Sequence, residues 1–172
     1  LLKGQQRLYH FQWRRRLAEL NPNIYTSLEA LGICVIDAGG EMSIPDLAKL
    51  YRELGKRTFA ICDKQCDVQK ALIEAQVETL FMHKEKGFEE LVLENTTDNA
   101  MNRFLKIVNH PQTPHPRAVL REYFYKKKGE GSIADFLAQC VEDEIPEWLR
   151  STCISLKIIC EASPENQTTQ MQ

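Results

Sequence analysis

Asp37 and Asp63 each close a short apolar run, in "ICVID" and "FAICD". If both runs are strands of one parallel sheet, their carboxyl ends meet in a single crevice, where open α/β sheets bind ligands. Carboxylates gathered there suit Mg²⁺, a hard cation that takes oxygen ligands and keeps several waters for substrate phosphates. Further acids follow at Asp67 and, in "HKEKGFEELVLE", at Glu85, Glu89 and Glu90. The same residues also read more plainly: Asp37 and Asp63 as solvated strand exits, Glu89 and Glu90 as first-turn acids favoured by the helix dipole. The spacing alone leaves both readings open.

Other chemistries are less well supplied. The chain has no G-x-x-x-x-G-K-[ST] loop, and "DAGG" lacks the G-x-G-x-x-G spacing of a dinucleotide site. No G-x-S-x-G elbow is present. The six cysteines form no C-x-x-C pair and stand at no ligand-like spacing from the four histidines, which argues against zinc and for a reduced, cytoplasmic protein. Cys34, Cys62 and Cys160 lie in apolar runs, where a thiol behaves as a small hydrophobe. The net charge of −2 supplies no global basic field for nucleic acid, although basic residues bunch at Arg14 to Arg16 and Lys126 to Lys128. No apolar run approaches the roughly 18 residues of a membrane span.

The elements that must position these acids are legible in the punctuation. A chain of 172 residues, 43% hydrophobic and 27% charged, is sized for one well-buried domain. The pattern predicts strands over Ile33–Ile36, Thr58–Cys62 and "VETLFMH", with "LL" at the start as the stump of a fourth. Between the first two lies a helix in "SIPDLAKLYRELG", with Ser43 and Asp46 spaced as a capping box, Pro45 in the first turn, and Gly55 after the end. Leu47, Leu50, Tyr51 and Leu54 are its expected buried stripe. A second helix is expected over 67–76. Strand and helix alternate with short links, as in βαβ units on a parallel sheet. Leu8, Phe11, Trp13 and Leu17 suggest a helical face near the start. From Gly87 onward five helices are expected, near 87–94, 98–109, 117–127, 132–142 and 146–160, with "NHPQTPHP" as a rigid turn between two of them. The expected organisation is a small α/β core over 1–86, a helical cap over 87–160 completing the same domain, and a disordered tail over 161–172.

Three segments taken in order, "LEALGICVIDAGGEMSIPDLAKLYRELGKRTFAICDKQ", "FMHKEKGFEELVLE" and "YKKKGEGSIADFLAQCVEDEIPEWLRSTCISL", resemble the TOPRIM nuclease domain of the OLD-family (overcoming lysogenization defect) ATP-dependent endonucleases. The likeness runs from about Leu28 to Leu156. It implies a small parallel TOPRIM-like sheet flanked by helices, with a helical insertion. It also implies Mg²⁺- or Mn²⁺-dependent cleavage of DNA and an ABC-type ATPase domain, on the same or a partner chain, ahead of the nuclease part. The Leu at position 1 accords with a carboxy-terminal piece of a longer protein. Self-association and a role in phage defence are further expectations of the resemblance.

Carried over residue by residue, the family's DxD position matches "DKQ", so that Asp63 aligns with the first acid and Gln65 stands where the second is expected. The family's Glu-Gly motif best matches "LLKG", which puts Lys3 in the place of the glutamate. Glu89 and Glu90 match the later acids, and one of Lys126, Lys127 and Lys128 matches the basic residue that stabilises phosphate charge. The expected metal ligands are therefore Asp63, Glu89, Glu90 and Asp37, with Lys127 or Lys128 as the catalytic cation. Two function classes follow: a divalent-metal-dependent endonuclease domain, or a degenerate TOPRIM-like interaction and dimerisation module, to which Lys3 and Gln65 point. A receiver-like signalling domain has no place for the long helical cap.

Overall fold

The structure is a computed structural model that describes residues 12–127 and 130–162. Among these, the ordered elements are α1 (Gln12–Leu20), α2 (Ile44–Glu53), β1 (Phe59–Cys62), α3 (Asp67–Glu74), β2 (Thr79–Met82), α4 (Phe88–Glu94), α5 (Asp98–Ile107), α6 (Pro116–Lys126), α7 (Ser132–Ala138) and α8 (Glu147–Glu161). The α/β class is as the alternation predicts, and the five helices after Gly87 fall where the periodicity puts them.

β1 and β2 form a parallel pair in the register Phe59↔Thr79 to Cys62↔Met82, connected through α3. Strand alternation divides their side chains between two faces. Ala60, Cys62, Leu80 and Met82 point into a small core with Ile44 and Ala48 of α2, Ile73 of α3, and Ala38 and Val77. α8 covers the opposite side, running antiparallel to the strands. At its start Trp148 meets the His83 ring edge-on, with centroids 5.1 Å apart, and near its end the Ile159 carbonyl accepts from Arg57 Nη1 at 3.3 Å. The result is three layers: α2 and α3, the strand pair, and α8.

A second, larger core is built mainly from helices. Phe88, Leu91 and Val92 of α4, Met101, Phe104 and Leu105 of α5, Leu120 and Phe124 of α6, and Phe136 and Leu137 of α7 bury one another. Phe104 and Phe136 meet edge-on at 5.3 Å, the offset that aromatic quadrupoles favour. α1 joins this cluster through Trp13 and Leu17, and Arg16 Nε donates to the Cys140 carbonyl at 3.3 Å.

Three local expectations are corrected. Ile33–Ile36 is not a strand. Gly32, at φ +67, closes a turn in which the Ile33 amide donates back to Leu28, and the run is then irregular, with a single bridge residue at Asp37. An apolar run becomes a strand only where a neighbour offers a ladder, and the expected "LL" stump lies outside the described residues. Ser43 does not cap α2: it belongs to a 3₁₀ turn, Glu41–Ser43, with helical dihedrals and no side-chain cap bond. The face of α2 turned to the sheet is centred on Ile44 and Ala48, leaving Leu50 50% and Leu54 63% exposed.

Candidate active site

The site is best followed from the carboxyl ends of β1 and β2. Past Cys62 the ladder continues for one step, the His83 amide donating to the Cys62 carbonyl at 3.3 Å, so the backbones at Asp63 and His83 run side by side. Both residues are buried, at 6% and 4% exposure. The Lys64 amide then donates to the Glu85 carbonyl at 3.2 Å and the Gln65 amide to Met82 Sδ at 3.4 Å, fastening the two strand exits together. Gln65, at the second DxD position, turns its side-chain amide back onto its own loop, Nε2 donating to the Asp63 carbonyl at 2.9 Å.

Asp37 is used locally. Its Oδ1 accepts from the Gly39 amide at 2.8 Å, an Asx turn that Gly39 completes at φ +71, a left-handed conformation that favours glycine.

Glu89 and Glu90 open α4, and the structure brings them together at a corner facing α6. The Glu89 carboxylate lies against Gly87, its Oε2 3.1 Å from where a side chain at that glycine would begin. Glu90 is held in a fork by Arg121 of α6, Nε to Oε1 at 3.0 Å and Nη2 to Oε2 at 2.8 Å, with the Tyr125 hydroxyl donating to Oε1 at 3.3 Å. The Arg121 hydrogen bonds hold the Glu90 carboxyl below the usual glutamate range. Burial, with Glu90 and Glu89 adding to it, pushes the Tyr125 hydroxyl up. Arg121 also reaches Glu94 at 2.8 Å, and Arg117, one turn earlier, reaches Asp98 at 3.4 Å.

Lys127, just past α6, pairs with Glu130 at 2.7 Å, which raises its ammonium above the ordinary lysine value. Lys126 pairs with Glu122 at 2.6 Å. Lys3 and Lys128 lie outside the described residues.

Asp63 thus lies at the strand ends, Asp37 in its own turn, and Glu90 in the Arg121 fork of α6. Among the described residues no group of three or more His, Cys, Asp or Glu side chains is placed to hold a metal ion. A two-metal centre needs carboxylates for each of two cations a few ångströms apart. Among the described residues no such set is assembled.

Arg121 carries no motif and escapes a search for ligands. Its signal lies in two matching four-residue spacings, Arg117 and Arg121 on one helix and Glu90 and Glu94 on another, since residues four apart share a helix face. His83 is a second omission, because only the strand register sets it beside Asp63.

Residues 16–64 match the family model described as overcoming lysogenization defect protein-like, TOPRIM domain. The matched segment begins in α1 and ends one residue past Asp63, so it includes Asp37 and Asp63, while Glu89, Glu90, Lys127 and Lys128 lie beyond it. No curated protein and no solved structure matches the chain. Over residues 16–64, then, this chain is similar to the TOPRIM domain of the overcoming lysogenization defect protein-like family, and its α/β architecture of a parallel strand pair between helices is consistent with that likeness.

Proposed function

We propose that this TOPRIM nuclease-type domain works within an OLD-like, ATP-dependent DNA-processing assembly as a module that engages DNA and its ATPase partner without forming a two-metal cutting centre of its own. The observation that carries this reading is the fate of the predicted ligands. Glu90 is committed to a guanidinium, Gln65 stands where an acid is expected and binds its own backbone, and among the described residues no group of three or more His, Cys, Asp or Glu side chains is placed to hold a metal ion. The carboxyl end of β1 and β2 is the face that meets the DNA backbone in this reading, with Lys126 to Lys128 supplying cations at the end of α6. Pairing of the domain with itself and a cytoplasmic setting belong to the same proposal. No helix among the described residues is long and apolar enough to cross a membrane.

One observation favours a second reading. Asp63 stands buried at the carboxyl end of β1 with the Glu85 backbone tied to its loop, the position from which a single Mg²⁺ or Mn²⁺ could serve a one-metal nuclease. Calorimetric titration of the whole chain with Mn²⁺ separates the two. Absence of saturable heat supports the interaction module. A saturable site that disappears in Asp63→Ala establishes the metallonuclease.

A further inference from the structure

The corner between α4 and α6 is chemically unlike a vacant metal site. Two carboxylates one turn apart on α4, Glu90 and Glu94, and the first acid of α5, Asp98, face two guanidinium groups one turn apart on α6, Arg117 and Arg121. Each of these three carboxylates is thus already met by a guanidinium group. The Arg121 fork uses both Glu90 oxygens, and paired, planar recognition of this kind is what distinguishes arginine from a mobile lysine. A metal ligand must offer a lone pair along a free direction. At Glu90, of about four lone-pair directions, both on Oε1 and one on Oε2 hold N–H donors from Arg121 and the Tyr125 hydroxyl.

We propose that Arg121 is a resident cation that substitutes for a divalent ion at Glu90, converting an acid of the nuclease pattern into a clamp between α4 and α6. The proposal deepens the reading of the domain as a non-cutting module and rests on it. It assigns Arg121 a positioning role, holding the start of α4 against α6, and it makes this corner indifferent to chelators.

The test is Mn²⁺ binding by electron paramagnetic resonance on the whole chain, paired with thermal melts in EDTA. Wild type and Glu90→Gln are expected to give the same Mn²⁺ isotherm, and Glu90→Gln and Arg121→Gln each to lower Tm by about 2–4 °C. Arg121→Gln, by uncovering Glu90 and Glu94, is expected to add Mn²⁺ affinity at least tenfold above wild type, and the double variant Glu90→Gln/Arg121→Gln to lose that gain. Arg121→Met, which removes the charge and keeps a long helix-forming side chain, provides the same readout if Arg121→Gln does not fold. A tenfold loss of wild-type Mn²⁺ affinity in Glu90→Gln, or no gain in either Arg121 variant, overturns the proposal. Failure of the underlying reading looks different: a wild-type Mn²⁺ site abolished by Asp63→Ala but untouched by Glu90→Gln contradicts the non-cutting module and leaves the Arg121 clamp standing.

Discussion

Arg14 sits on α1 with 1% of its surface exposed, its Nε donating to the Cys153 sulfur at 3.2 Å. Its two terminal nitrogens are buried without a hydrogen-bond partner among the described residues. Burial pushes the Cys153 thiol up to about 11 against the pull of Arg14, so at neutral pH the sulfur is an uncharged acceptor, and the guanidinium has the Trp13 ring at 6.0 Å but no carboxylate hydrogen bond among the described residues. An unpaired buried charge costs several kcal/mol, and replacement by an apolar side chain of similar volume tends to stabilise by about 1–4 kcal/mol. Arg14→Met is therefore expected to raise Tm, by about 2–4 °C for each kcal/mol gained. A fall in Tm would mean that the guanidinium has a compensating partner. The opposite case is Glu144, whose carboxylate accepts from Arg103 Nη1 at 3.0 Å and from the Val141 amide at 3.0 Å. The Arg103 bonds lead in holding this carboxyl below its ordinary value of 4.5. A carboxyl depressed in the folded state contributes stability that is fully present above its unfolded pKa and lost as pH falls through the folded one. Melting temperature should accordingly drop below about pH 4.5, and Glu144→Gln should have a lower Tm at pH 7 with a shallower acid slope. Parallel slopes for the two proteins would contradict this assignment.

At the scale of elements, α2 shows what a sequence pattern leaves undetermined. Leu47, Leu50, Tyr51 and Leu54 form a convincing stripe, yet the helix is rolled so that Ile44 and the small Ala48 meet the strands. Small residues let helix and sheet approach closely, and periodicity weighted by side-chain size overlooks an alanine contact. The structure predicts that Ala48→Leu overpacks the α2–sheet contact and costs about 1–3 kcal/mol, whereas Leu54→Gln stays within about 0.5 kcal/mol of wild type. Denaturant titration of both variants decides it, and the reverse order would restore the stripe as the core face. β1, β2, α3 and the five later helices were legible because apolar runs bounded by turns, or long amphipathic periods with Gly and Pro at their ends, specify an element locally. Ile33–Ile36 was not, because strand formation there depends on a neighbour that the run itself does not encode. Thr97 shows local encoding at its clearest: its hydroxyl accepts from the Ala100 amide at 3.2 Å and starts α5 one residue before Asp98.

Across the whole molecule, two helices reach in space beyond their neighbours in sequence. α1 precedes the α/β part but packs with the later helices, and α8 ends the helical part but returns across the sheet. At the strand ends, Trp148 of α8 packs against His83. The candidate site was legible in sequence as residue types and order, since Asp63 does close a buried strand. Its assembly was not, because convergence of carboxylates depends on rotations of α4 against α6 that only the Arg121 fork reveals. The central claim is that this domain holds no complete cutting centre, and the most direct measurement is nicking of supercoiled plasmid by the whole chain in Mn²⁺, beside Asp63→Ala and an EDTA control. The account predicts indistinguishable, background conversion to open circles in all three. Nicking that requires Mn²⁺ and vanishes in Asp63→Ala would contradict it.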